Sequence, residues 1–291
     1  MKEGRTPARW LWALAEPFHA LSYFAAESRS AGEAAGLTGF WNGYFAFRAA
    51  PLGAVGAGAV TAAFFNFAPS FVARRLPAVW DVVPPAGALA ARLAGIDGAV
   101  RRVLGEEWMR SAEAAEAAEL AMRAAGAVEP SGRPLAAANA ALPCPAEPHL
   151  ALWQALTTLR EDRGDGHNAV LLNRGIVGAA PHVLAAAAGR STREWLLRAR
   201  GWTDADWDGA ADGLTARGWL TGGTLTAEGL AAVAAIEAET DELALRPWQA
   251  IGPVNCDRLA ELLTPVRRAV VAAGDWPDSN PIGAPEPSAL R

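Results

Sequence analysis

The chain has 291 residues, 52% of them hydrophobic, enough for a core sized for one large domain or two ordinary ones. Its formal net charge is −5 and its cations are almost all arginine, which excludes the broad basic field that draws proteins onto polyanions. Alanine dominates the composition, so helices packed through small side chains outrank a large sheet, and the predicted fold class is mainly α.

Taken from the start, Glu16-Pro17-Phe18-His19 opens an apolar helical run, with proline where a first turn tolerates it. No secretory leader pattern precedes it, and Cys144 and Cys256 lie far apart, so a cytoplasmic location with unpaired thiols is expected. The residues from Ala49 to Ala73 carry no charge and are numerous enough to span a bilayer, but Pro51, Pro69 and several glycines break them, so no membrane partner is expected. An Ala/Glu helix follows from Glu113 to Ala125, closed by Gly126, and then a proline-bearing connection from Pro130 to Pro145. The expected organisation is an N-terminal helical domain over residues 1–128, a linker over 129–146 and a second domain over 147–291.

In the second half, Glu147-Pro148-His149 opens a helix to about Arg160, and Gly164-Asp165-Gly166 reads as a turn before an apolar run from His167. Helices are predicted around Pro181 to Ala188, from Thr192 to Arg200, and from Thr203, whose partner Asp206 makes a capping box. Two short β-prone runs flank Gly222-Gly223, a hairpin signal, and Thr226 caps a helix to about Leu245. This is the element order of a winged helix with a small β-hairpin.

The two halves share a pattern. Gly39 and Gly166 stand 127 residues apart, as do Trp80-Asp81 and Trp207-Asp208, whereas the two Glu-Pro starts are 131 apart. Two related halves from an internal duplication would explain this; coincidence in an alanine-rich chain is the alternative.

The segment "LTAEGLAAVAAIEAETDEL" resembles the closing helix of MarR-type regulators. With "EPFHALSYFA", "GLTGFWNGYFAFRAAPLG", "FFNFAPSFVARRLP", "LREDRGDGHNAVLL" and "RGWTDADWDGAADGLTARGWL", the whole chain resembles an actinobacterial family labelled helix-turn-helix. That resemblance implies a fold and no function. The helix that would read DNA carries Asp204, Asp206, Asp208 and Asp212 against Arg217, and the hairpin carries no cation. Carboxylates beside phosphates repel, so DNA is not the expected partner. Arg190, Arg193, Arg198 and Arg200 read as a solvated helix face.

Among candidate site residues, Glu16 and His19 have the i, i+3 spacing that puts a carboxylate and an imidazole on one helix face. With His167 they form a candidate set for a divalent metal or haem between the halves, and His19 and His167 are the candidate catalytic acid/base pair. His149 and His182 read as a helix-start and a loop residue. Large rings interleaved with polar groups suggest a ligand pocket of Tyr23, Trp41, Asn42, Tyr44, Arg48, Phe64 and Asn66, with packing as the alternative. Arg48 needs Glu16, Glu27 or an anionic ligand as its counter-charge. The expected function is binding of a small apolar or weakly acidic molecule between the halves, with enzymatic activity open and a homodimer compatible. A MarR-like ligand-responsive regulator and a haem or metal protein are the alternatives.

Overall fold

The computed structural model describes residues 6–277, so the outermost parts of both expected domains, 1–5 and 278–291, lie outside the described residues. The chain is mainly helical. Its first half runs α1 (Pro7–Phe24), α2 (Ala26–Ala34), α3 (Gly39–Ala49), α4 (Ala57–Phe64), α5 (Pro69–Ala73), α6 (Val79–Val82), α7 (Pro85–Met109) and α8 (Ala112–Ala125). After α9 (Pro134–Ala140) come α10 (Pro148–Asn173), α11 (Ala180–Ala187), α12 (Arg193–Arg200) and α13 (Asp204–Ala216). The strands β1 (Leu220–Thr221) and β2 (Thr224–Leu225) then precede α14 (Ala227–Leu243) and α15 (Arg246–Ala272).

The caps predicted for the second half are in place. Thr203 Oγ1 accepts from the Asp206 N–H at 3.2 Å while Asp206 Oδ2 accepts from the Thr203 N–H at 2.9 Å, closing the capping box of α13. Leu220 pairs with Leu225 across a turn in which Gly222 (φ 56°) and Gly223 (φ 81°) are both left-handed, the geometry that the commonest two-residue hairpin demands. Thr226 Oγ1 accepts from the Gly229 N–H at 3.0 Å to start α14.

Three expectations are corrected. Glu16-Pro17 lies in the middle of α1. Proline removes the bond to the carbonyl four residues back, and Arg267 Nε donates to that carbonyl, Ala13 O, at 3.3 Å instead. Gly164-Asp165-Gly166 is no turn, because α10 runs through it unbroken. Gly166 provides room: a Cβ on it would lie 2.8 Å from Arg133 Nη1 and 3.4 Å from Leu243 Cβ. The stretch 129–146 is no free linker either, since it forms α9, which buries Leu135 and Ala136 against α10.

Asp165 explains that docking. Its Oδ2 accepts from the Leu135 and Ala136 N–H groups at 2.9 and 3.0 Å, capping α9 from another helix, while Oδ1 is buried with no partner. Burial raises this carboxyl to about 7, against an ordinary value of 3.8, despite the backbone bonds. A folded-state pKa above the unfolded one means that ionisation opposes folding, a cost absent below the unfolded pKa and complete once pH passes the folded one. Asp165→Asn is therefore expected to gain about 2 kcal/mol on the parent between about pH 5 and about pH 8. Urea midpoints at both pH values check this; a pH-independent difference would refute it.

Gly39 opens α3 whereas Gly166 lies inside α10, so the spacing of 127 does not pair equivalent places there. The uncharged stretch after Ala49 is also interrupted: Gly39–Leu52 and Ala57–Phe64 meet at 92°, and among the described residues no single helix is long and apolar enough to cross a membrane.

One core unites both halves. It draws on α1, α7, α8, α10 and α15, with Phe18, Leu152, Trp153 and Leu259 among its sealed side chains. α1 packs mainly on α15 and α10 mainly on α8, so each half's opening helix lies against the other half's closing helix. Two satellite cores flank it: an aromatic one around Phe45, Phe64, Phe67 and Phe71, and an aliphatic one joining α11 to α14 through Leu184, Leu196, Leu214 and Ile236.

Candidate functional site

Between the two satellite cores lies a cavity of about 300 Å³. α1 contributes Trp12 and Tyr23, α3 contributes Trp41, Tyr44 and Arg48, and α4 contributes Phe64, followed by Asn66 and Phe67. Opposite stand Arg160, Arg163, His167 and Asn168 of α10, His182 of α11, Trp195 and Arg200 of α12 and Glu237 of α14, with Arg190 just before α12. Tyr44 is the hub of the aromatic wall, with ring centroids 4.8 Å from Tyr23, 5.5 Å from Trp41 and 6.2 Å from Phe64.

A buried charge relay supports one side. Arg48 donates from Nε and Nη2 to Glu161 Oε1 and Oε2 at 2.8 and 2.9 Å, donates from Nη1 to the Tyr44 hydroxyl at 3.1 Å, and lies 4.3 Å over the Phe64 ring. Arg160 joins Glu161 (2.9 Å) to Glu16 (3.2 Å), and Trp12 Nε1 donates to Glu16 at 2.6 Å. Burial alone would raise the Glu161 carboxyl, but the Arg48 and Arg160 guanidinium groups outweigh it and hold it far below the usual carboxylate range. The bidentate fork fixes the plane of Arg48. Its counter-charge is thus Glu161, not Glu16 or Glu27; Glu27 binds Arg102 at the surface.

A second network closes the other side. Arg163 donates to Asp241 at 2.9 Å and to Glu237 at 3.2 Å, with its guanidinium 4.4 Å over the Trp12 ring, and Arg190 holds Glu237 at 2.9 Å. Among the described residues the cavity is lined by five arginines and one carboxylate, Glu237. The helix face read as solvated is therefore divided: Arg190 and Arg200 line the cavity, while Arg193 bridges Asp204 and Asp208 of α13 at 2.8 and 2.9 Å.

Of the residues singled out from sequence, Tyr23, Trp41, Tyr44, Arg48, Phe64, Asn66 and His167 meet at this cavity, whereas Asn42, Glu16 and His19 do not line it. His19 sits behind the wall, its Nδ1 3.0 Å from Thr157 Oγ1 and its ring stacked on Trp153. Burial, reinforced by Arg160, lowers its pKa well below the ordinary value. His167 Nδ1 meets a different hydroxyl, Thr240 Oγ1, at 2.9 Å. Burial brings His167 and His182 to about 4 each, so neither is the near-neutral acid/base expected of the imidazoles.

Glu16, His19 and His167 do not fit a shared metal or haem. Glu16 is held by Trp12 and Arg160, the Nδ1 atoms of His19 and His167 are engaged by Thr157 and Thr240, and the described residues hold no group of three His, Cys, Asp or Glu side chains that could take a metal ion. Sequence reasoning missed Arg160, Glu161, Arg163 and Glu237. The signal available was Arg160-Glu161-Asp162-Arg163, four consecutive charges in the middle of a long helix whose side chains are mostly buried.

No curated protein and no solved structure matches the chain. A family model described as a helix-turn-helix family matches residues 8–277, nearly the whole chain, and the protein belongs to that family.

Proposed function

We propose that this protein binds a small, ring-bearing anion on a helix-turn-helix scaffold that does not read DNA. The observation that carries this reading is the lining of the cavity, an aromatic wall facing an excess of arginine over carboxylate. Rings supply apolar contact while a few fixed polar groups orient the ligand, and guanidinium forks match carboxylate geometry. α13 supports the second clause. Asp204, Asp206, Asp208 and Asp212 are exposed on the helix that would face bases, and Arg193, the nearest cation, is held by two of them.

α11 to α14 with the hairpin form a MarR-like winged helix, as the order of elements and their caps support. We further propose that the two halves descend from a duplication, in a register other than the one first suggested by sequence. Left-handed residues recur at comparable places: Gly36 and Gly175 after α2 and α10, Gly39 at the start of α3 and Gly178 just before α11, Phe65 and Gly201 after α4 and α12. Gly105 (φ 78°, ψ 162°) and Gly252 (φ 77°, ψ 164°) break the α7 and α15 runs with the same geometry. The reciprocal packing of α1 on α15 and α10 on α8 has the symmetry expected of a fused pair.

Trp12, Trp41 and Trp195 line the cavity, so tryptophan emission tests the proposal directly. 2-Naphthoate should quench saturably and bind about tenfold tighter than the neutral 2-naphthamide. A filter-binding assay with genomic duplex fragments at about 0.15 M salt should retain none. Salt-dependent retention of a defined fragment would overturn the proposal in favour of a ligand-responsive regulator. One observation favours that second reading: α12 lines the cavity through Trp195 and Arg200 and grips α13 through Arg193.

A further inference from the structure

Two histidines of the cavity have their protons placed by their partners. The Thr240 hydroxyl sits 2.7 Å from the Ile236 carbonyl, to which it must donate because a carbonyl only accepts. Its oxygen can then only accept from His167 Nδ1, 2.9 Å away, so Nδ1 carries the hydrogen and Nε2 is bare in the neutral ring. His182 has the opposite tautomer: its Nε2 lies 2.7 Å from the Asn66 carbonyl and must be the donor, which leaves Nδ1 bare.

Neither bare nitrogen has a partner among the described residues. His19 Nε2, by contrast, is orphaned in the interior behind the wall. Both side chains line the same cavity, so it presents two imidazole lone pairs beside its guanidinium groups. Burial keeps both rings neutral at ordinary pH, which preserves those lone pairs.

Lone pairs of this kind bind either a metal ion or a hydrogen-bond donor. The five arginines around the cavity repel a cation, and no third ligand completes a metal set among the described residues. We propose that His167 Nε2 and His182 Nδ1 accept hydrogen bonds from the ligand, so that the cavity selects an aromatic acid that also carries hydroxyl or N–H donors. The inference rests on the binding function proposed above and narrows it to a chemical class. A site built to accept from a substrate O–H discriminates strongly against the analogue that lacks it.

The test compares 2-naphthoate with a set of positional hydroxynaphthoates by tryptophan quenching, on the full chain and on His167→Phe and His182→Phe. The expected result is a hydroxynaphthoate that binds at least about tenfold tighter than 2-naphthoate, a preference that falls to near unity in at least one variant. Equal binding of all naphthoates to the parent chain would overturn the inference while leaving the binding function intact. Failure of every naphthoate to bind would overturn both. ¹⁵N imidazole spectra of the parent chain give an answer that does not depend on the variants folding: His167 should be protonated at Nδ1 and His182 at Nε2. The opposite tautomer at His167, or stoichiometric Zn²⁺ uptake that perturbs both rings, would overturn it.

Discussion

Glu161→Ala is expected to lower the unfolding free energy by about 3–5 kcal/mol, because removing one member of a buried ion pair leaves the others uncompensated. Glu161 is 1% exposed and accepts from both Arg48 and Arg160, so two guanidinium groups lose a carboxylate together. Arg160 keeps Glu16, whereas the remaining side-chain partner of Arg48 is the Tyr44 hydroxyl. The double variant Arg48→Met/Glu161→Leu should cost less than Glu161→Ala alone, since an apolar pair brings no stranded charge. Guanidinium denaturation of the three proteins decides it. A loss under about 1 kcal/mol, the scale of an exposed pair, would mean that water reaches these charges.

Trp153→Ala should be comparably damaging, at about 3–5 kcal/mol. Trp153 is completely buried, stacks on His19 with centroids 6.1 Å apart, and donates from Nε1 to the His19 carbonyl at 3.1 Å. Its ring also lies 4.9 Å beneath the guanidinium of Arg92, a buried cation held by the Phe47 carbonyl and Gln154. Burial lowers Arg92 to about 10, so removing its aromatic floor weakens a charge that is already poorly compensated. Trp153→Phe keeps most of the apolar volume and loses the indole donor, for an expected cost of about 1–2 kcal/mol. Thermal and denaturant unfolding of both variants should reproduce that order. Equal losses would assign the whole effect to the hydrogen bond.

The stretch from α13 through the hairpin to the start of α14 was legible because its signals are local. Thr203 with Asp206, Gly222-Gly223 and Thr226 each act within a few residues, and the structure uses each as expected. The misreadings arose where a residue serves a distant partner. Pro17 is tolerated because Arg267 takes the carbonyl it frees, and Gly166 sits in a helix because Arg133 and Leu243 need the space. The site divides in the same way. The aromatic wall follows from the spacing within 40–48 and 64–67, whereas the arginine wall depends on burial of a charged run by α1, α3 and α14, which no local pattern announces. Glu16 and His19 do share a helix, but Arg160 engages Glu16 and the core buries His19 behind the cavity wall.

The crossed packing of α1 on α15 and α10 on α8 means that neither half of the sequence is a self-sufficient module. A chain severed within 129–146 would become two fragments, each displaying the apolar faces that the other now covers, and their association would pass from an intramolecular to a concentration-dependent equilibrium. The short stretch around α9 thus acts as a tether that keeps both walls of the cavity in register at any dilution.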